Sequence, residues 1–143
     1  GEKIEKYRRL SREYVNDPYY QLQKQKFNRQ EVIYLSLLKE MKYKCDLNQT
    51  EILYFYRRGE YCETCDQQSY VLDYFNQRID PEIAIFSFDA DLNLPSVNVL
   101  INLYNVTDYP CIVVEDETYC GLRDRDEIED ILCSHRNLSI CGK

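Results

Sequence analysis

The feature that most limits what this chain can become is the order of its apolar segments over residues 48–143. Ile52-Leu-Tyr-Phe-Tyr56 and Ile83-Ala-Ile-Phe-Ser-Phe88 are short apolar and aromatic runs, the pattern of buried strands. After each run the period changes. Val71, Leu72, Phe75 and Ile79 recur at helical spacing and stop before Asp80-Pro81. Val97, Leu100, Ile101 and Tyr104 do the same after Pro95, a residue well suited to a first helical turn, and stop before Tyr109-Pro110. Cys111-Ile-Val-Val114 and Thr118-Tyr-Cys120 then flank Glu115-Asp116 as a hairpin closed by Gly121. Ile128, Ile131 and Leu132 mark a last helix over roughly 124–133. Strand, helix, strand, helix, hairpin, helix describes an α/β domain. Its βαβ units imply a mostly parallel sheet, to which the hairpin adds antiparallel strands.

Upstream the texture differs. Ile4, Tyr7, Leu10 and Tyr14 lie at helical spacing over 2–14, until Asp17-Pro18 breaks the run. A second helix is expected over 19–44, with Phe27, Tyr34, Leu35, Leu38 and Met41 on one face. That face either packs on its own domain or forms a coiled-coil dimer arm. The chain is accordingly divided into an N-terminal helical extension, 1–47, and a domain over 48–143.

Charge follows the same division. Residues 1–46 carry 11 Lys/Arg against 7 Asp/Glu, or +4; residues 47–143 carry 7 against 18, or −11, which together give the net −7. The acidic part argues against nucleic acid, whose phosphates need a basic surface. The basic part is either a solvated helix face or a contact for an anionic partner or membrane surface. No run of 18 apolar residues exists, so no transmembrane segment is expected in this chain. The first residue is Gly1 rather than Met. A removed leader or a membrane anchor upstream is compatible with that start.

Seven cysteines in 143 residues exceed what reduced cytosolic proteins collect without a metal, and the one histidine, His135, lies near no other cysteine pair with zinc-finger spacing. No metal and no cofactor is therefore expected. An oxidising, extracytoplasmic compartment is: secreted, periplasmic or lumenal. Cys62 and Cys65 form a CxxC at the junction of the first strand and its helix. Such a pair is a redox dithiol, half of a metal site or a structural staple, and no second CxxC supplies the missing metal ligands. In the hairpin, a two-residue loop pairs 114 with 117 and 111 with 120. Since pair types alternate from the loop, 111–120 is non-hydrogen-bonded, with the close Cα approach a cross-strand disulfide can use. Cys111 and Cys120 are thus disulfide partners, or else two small buried hydrophobes, or Cys111 exchanges with Cys62. Of the rest, Cys133 and Cys141 can tie the tail to the last helix and leave Cys45 free; equally, Cys45 can pair with either one. His135 is read as a surface residue rather than a catalytic base.

Tyr61-Cys62-Glu-Thr-Cys65, Phe88-Asp89-Ala-Asp91, Tyr104-Asn-Val106 and Asp108-Tyr-Pro110-Cys111, with Gly121 closing a short hairpin, occur in this order over about residues 50–133. The set resembles the thioredoxin superfamily, and the short hairpin is similar to that of glutaredoxins. The resemblance implies a thioredoxin-like α/β fold, a central mixed sheet flanked by helices. It implies a cis Pro110 facing the CxxC, with Tyr109 offering its backbone, and Tyr61 and Pro110 their surfaces, to bound substrate. It also implies Cys62 at the helix N-terminus as the attacking thiolate and Cys65 as the resolving thiol, acting on protein or small-molecule thiols and disulfides. Two departures stand out. Glu63-Thr64 lies between the cysteines, with Glu60 and Asp66 adjacent, so acids outweigh Arg57 and Arg58 and a less acidic thiol is expected. Tyr56 stands where thioredoxins carry a buried acid.

Two readings follow. One is a thiol–disulfide oxidoreductase, leaning to a reductant. The other is a non-catalytic binding or assembly module whose N-terminal helices contact a partner protein and whose cysteines are structural. Tyr54, Tyr56, Tyr61 and Tyr109 are expected around the CxxC as the lining of a substrate groove.

Overall fold

A computed structural model describes residues 17–45 and 48–142. The helix expected over 2–14 lies outside the described residues. Helix α1 spans Pro18–Cys45, strand β1 Thr50–Tyr56, helix α2 Cys65–Ile79 and strand β2 Ile83–Asp89. A short 3-10 turn, Ala90–Leu92, leads to helix α3, Pro95–Leu103. Strands β3, Cys111–Val114, and β4, Glu117–Cys120, precede helix α4, Arg125–His135. The sheet order is β2-β1-β3-β4. Only β1–β2 is parallel; β1–β3 and β3–β4 are antiparallel. The sheet is therefore mixed rather than mostly parallel, because the hairpin joins the sheet through β3 and contributes two of its three pairings.

Both faces of the sheet are covered, as the unbroken apolar text of β1 requires. Period two divides that strand. Ile52 and Tyr54 join Leu72, Phe75, Ile112, Ile128 and Leu132 beneath α2 and α4. Leu53 and Phe55 join Leu35, Leu38, Phe86, Phe88, Val97 and Val113 beneath α1 and α3. Helix starts have local causes. Asp17 accepts the Tyr20 amide at 3.0 Å ahead of Pro18, and Asp124 forms a reciprocal capping box with Glu127. The two-residue hairpin turn places Glu115 and Asp116 at φ 47° and 71°, the left-handed conformations such a turn needs.

Helix α1, about 42 Å long at 1.5 Å per residue, lies on the sheet by part of the expected face, Phe27, Leu35 and Leu38, extended toward Lys24 and Asn28. Tyr20, Lys24, Phe27, Asn28, Leu35 and Leu38 are buried, while Tyr34 and Met41 are half exposed, at 51% each. Polar partners on β2 draw this face inward. β2 is an edge strand, and α1 caps its free amides: Asn28 Oδ1 accepts from Asp89 N–H at 2.8 Å and Glu31 Oε1 from Ser87 N–H at 3.1 Å. At its other end α1 grips the hairpin turn. Lys39 pairs with Glu51 and, at 3.1 Å, with Asp116, and Lys42 pairs with Glu115 at 2.9 Å.

Candidate functional site

The CxxC stands where β1 runs out. After Tyr56 the chain makes two tight turns, closed by Tyr61 N–H to Arg58 carbonyl at 2.9 Å and Cys65 N–H to Cys62 carbonyl at 3.3 Å. Cys65 is the first residue of α2 and Thr64 its cap. Cys62 thus lies in the turn that leads into the helix N-terminus. The turn Cys62–Cys65 brings the two cysteines together, and Thr64 caps the helix without a side-chain bond. Cys62 and Cys65 form a disulfide with Cα atoms 5.5 Å apart. Cys65 is the deeper, 3% exposed against 7% for Cys62.

Beneath the pair lies a hydroxyl cluster. Tyr54 donates to the Cys65 carbonyl at 2.7 Å, and Ser69 donates to the Tyr54 hydroxyl at 3.0 Å. Tyr54 is fully buried, so it supports the dithiol from below and lines no groove. Tyr56 stacks on Tyr54 with centroids 5.4 Å apart. Burial, reinforced by Asp89, pushes the Tyr56 hydroxyl well above its usual range. Where a carboxylate would exchange protons at neutral pH, this position holds a phenol that stays protonated.

Above the pair is a cationic and aromatic ledge. Arg57 Nε and the Arg58 amide bind the two oxygens of Asp91 at 2.9 and 2.8 Å. Both guanidinium groups cover the Tyr61 ring, at 4.7 and 6.0 Å from its centroid. Arg58 also reaches Glu60 at 3.7 Å. The register Phe55↔Cys111 sets the Tyr109–Pro110 loop beside the C-terminal end of β1, the edge from which the chain leads to Cys62. The Tyr109–Pro110 peptide is cis, as is Asp80–Pro81. Burial raises the Tyr109 hydroxyl pKa, Arg57 opposes this and Asp91 adds to it, so Tyr109 shares the field of the Arg57–Asp91 pair. Tyr61, Cys62, Cys65, Tyr109 and Pro110 therefore gather at one end of the sheet. Asp91, the residue that holds both arginines, enters the sequence reading only as part of Phe88-Asp89-Ala-Asp91; nothing there marks it as their partner.

Of the other cysteines, Cys111 follows Pro110 at this same end of the sheet. Cys111 and Cys120 are register partners and form a disulfide, with Cys111 fully buried. Cys133 and Cys141 form a second, and Cys45 is free and exposed. His135 is not a surface residue: its side chain is 13% exposed, with Nε2 3.0 Å from the Tyr119 hydroxyl. Packing of α4 on β4 encloses it. Among the described residues, no three His, Cys, Asp or Glu side chains are grouped to hold a metal ion, and no helix is long and apolar enough to cross a membrane.

No protein-family model matches the chain, and no curated protein matches it. Solved structures do. Thioredoxin-2, a component of malaria parasite protein secretion machinery, is 19% identical, with a TM-score of 0.52 over 62% of this chain and 84% of that one. Chloroplastic thioredoxin z is 18% identical, with a TM-score of 0.52 over 68% of this chain and 86% of that one. A malarial protein is 19% identical, with a TM-score of 0.52 over 62% of this chain and 98% of that one. The chain has the thioredoxin fold.

Proposed function

We propose that the chain is a thiol–disulfide oxidoreductase working through Cys62 and Cys65 in an oxidising, extracytoplasmic compartment. The observation that carries this reading is the Cys62–Cys65 disulfide in the turn before α2, at the same end of the sheet as the Tyr109–Pro110 loop. Acting as a reductant, the Cys62 thiolate attacks a substrate disulfide, forming a mixed disulfide and releasing one substrate thiolate. The Cys65 thiolate then attacks the Cys62 sulfur, releasing the second thiolate and closing Cys62–Cys65. Two electrons pass to the substrate, and an external dithiol returns them. Tyr61, Tyr109 and Pro110 would line the approach of a protein or small-molecule disulfide. Glu63 and Asp66 favour the reducing direction, because acids beside Cys62 disfavour its thiolate and so stabilise the disulfide. Cys111–Cys120 and Cys133–Cys141 are structural in this account, and three disulfides are what an oxidising compartment sustains.

Insulin reduction tests the proposal. Cys62→Ser abolishes turnover, and Cys65→Ser accumulates a mixed disulfide on Cys62. Full activity in Cys62→Ser would eliminate it.

A second reading, a binding or assembly module, has one observation in its favour. Leu22, Ile33, Leu37 and Met41 on α1 are all at least half exposed. In that case the wild-type chain turns over no disulfide, and Leu37→Glu with Met41→Glu abolishes partner capture without altering the fold.

A further inference from the structure

Lys24 is buried to an unusual degree for its type: its side chain and that of Asp89 are 3% and 2% exposed, with Nζ 2.6 Å from Oδ2. Burying such a pair costs several kcal/mol of desolvation per ion, repaid only by close geometry and further hydrogen bonds. One such bond reaches the Asp89 carboxylate, and the contacts around the pair lead in one direction. Asn28, one turn after Lys24, fixes the Asp89 amide, and its own Nδ2 donates to the Lys24 carbonyl at 2.9 Å. Asp89 Oδ1 accepts the Asp91 amide at 2.8 Å. Asp91 in turn holds Arg57 Nε and the Arg58 amide, and both guanidiniums lie over Tyr61, the residue before Cys62. The chain of contacts runs from α1 through the end of β2 to the loop that presents the dithiol.

We propose that Lys24 is a positioning residue for the dithiol: with Asp89 it sets Asp91, and through Asp91 it keeps Arg57 and Arg58 on Tyr61 and away from the Cys62 sulfur. The proposal rests on the reading that Cys62 is the attacking thiol. Its content is electrostatic as well as mechanical. The loop around Cys62 carries Glu60, Glu63 and Asp66 against Arg57 and Arg58. While Asp91 engages the arginines, part of their charge is neutralised. Releasing the arginines lets cationic charge approach the sulfur and favours the thiolate.

The test is the alkylation rate of Cys62 by iodoacetamide at neutral pH, measured on the folded, reduced full chain by peptide mapping. Lys24→Met with Asp89→Leu removes both charges together and leaves neither orphaned, a replacement that such pairs often tolerate without loss of stability. The rate is expected to rise at least about threefold, the effect of a shift of half a unit in thiol acidity. Asp91→Asn, at a side chain 9% exposed, cuts the same chain further along and is expected to give the same rise. Combining all three substitutions should add nothing, since they interrupt one path. A wild-type rate in Asp91→Asn, or in a folded Lys24→Met/Asp89→Leu chain, overturns the proposal; so does additivity of the two. If the charge-pair variant does not fold, Asp91→Asn alone decides. Alkylation needs no turnover, so a chain inactive on insulin that still shows these rate changes refutes the oxidoreductase reading and leaves the positioning role standing.

Discussion

Removing the Cys133–Cys141 disulfide separates structural from redox cysteines. The two residues are eight apart in sequence, and the bridge ties the tail after α4 back to that helix. Closing a loop of this length restricts the unfolded chain by about 2.5 kcal/mol at 25 °C. The bond also seats Leu138, 3% exposed, in the core beneath α2 and α4, where the Cys141 sulfur accepts the Leu138 amide at 3.3 Å. Cys133→Ser with Cys141→Ser should therefore lower the melting temperature by roughly 6–12 °C, taking a few degrees per kcal/mol for a domain of this size. Thermal unfolding followed by circular dichroism reads the shift, and insulin reduction at 25 °C reads the site. The site lies at the far end of α2's strand junction and none of its contacts involve the tail, so turnover should be unchanged. A melting temperature within about 2 °C of wild type would refute the loop-closure and packing argument. Loss of turnover in a folded variant would refute the assignment of this bridge as structural.

Other consequences are as direct. Burial opposes ionisation of Asp116, but hydrogen bonds from Tyr104 and Lys39 and the charges of Lys39 and Lys42 win, so its pKa lies below the ordinary 3.8. Its stabilising contribution is present above pH 3.8 and is lost as pH falls through the lower folded value. Lys39 moves upward despite its burial, because Glu51 and Asp116 bind it, so its contribution is complete below 10.5 and fades only as pH rises through a higher folded value. The grip of α1 on the hairpin turn should therefore show no change from pH 5 to 9 in melting experiments, and Lys39→Met should flatten the acid limb. Tyr54→Phe removes the donor to the Cys65 carbonyl in a fully buried site and should cost about 1–2 kcal/mol in urea unfolding; no loss would mean that the Ser69 hydroxyl, 3.1 Å from that carbonyl, satisfies it alone. Leu35→Ala, at a position 2% exposed between α1 and the sheet, should cost about 2–4 kcal/mol; a cost under 1 kcal/mol, roughly that of a surface change, would mean α1 is not firmly packed.

The strands and helices after Asn48 were legible because their apolar residues keep one period until a proline or a turn ends it. Ile52–Tyr56 reads as a doubly buried strand, and both its faces are covered. The hairpin register was legible for the same reason: a two-residue loop allows one pairing, and Cys111 meets Cys120 in it. The buried face of α1 was legible only in part: Phe27, Leu35 and Leu38 follow from periodicity, Lys24 and Asn28 do not. Periodicity ranks Tyr34 and Met41 with the core and Lys24 and Asn28 with solvent, since it scores side chains alone. The structure reverses that order because Asp89 and the free edge of β2 offer polar partners that only the folded chain brings near. At the site, the two cysteines could be read from spacing, and the Tyr109–Pro110 loop opposite them from what the thioredoxin resemblance implies. The fate of the local charges could not, because Asp91 lies 33 residues from Arg58 in sequence and becomes its partner only when β2 pairs with β1. Counting Arg57 and Arg58 as free charges beside Cys62 misses that engagement.

The most direct test of the account is a redox titration of the native chain in dithiothreitol buffers, with thiols trapped and mapped at each potential. The account predicts that Cys62 and Cys65 alone pass reversibly from disulfide to dithiol while Cys111–Cys120 and Cys133–Cys141 remain intact and the fold is unchanged. A Cys62–Cys65 pair that stays oxidised until the chain unfolds, or that opens only together with the other two bridges, would contradict it.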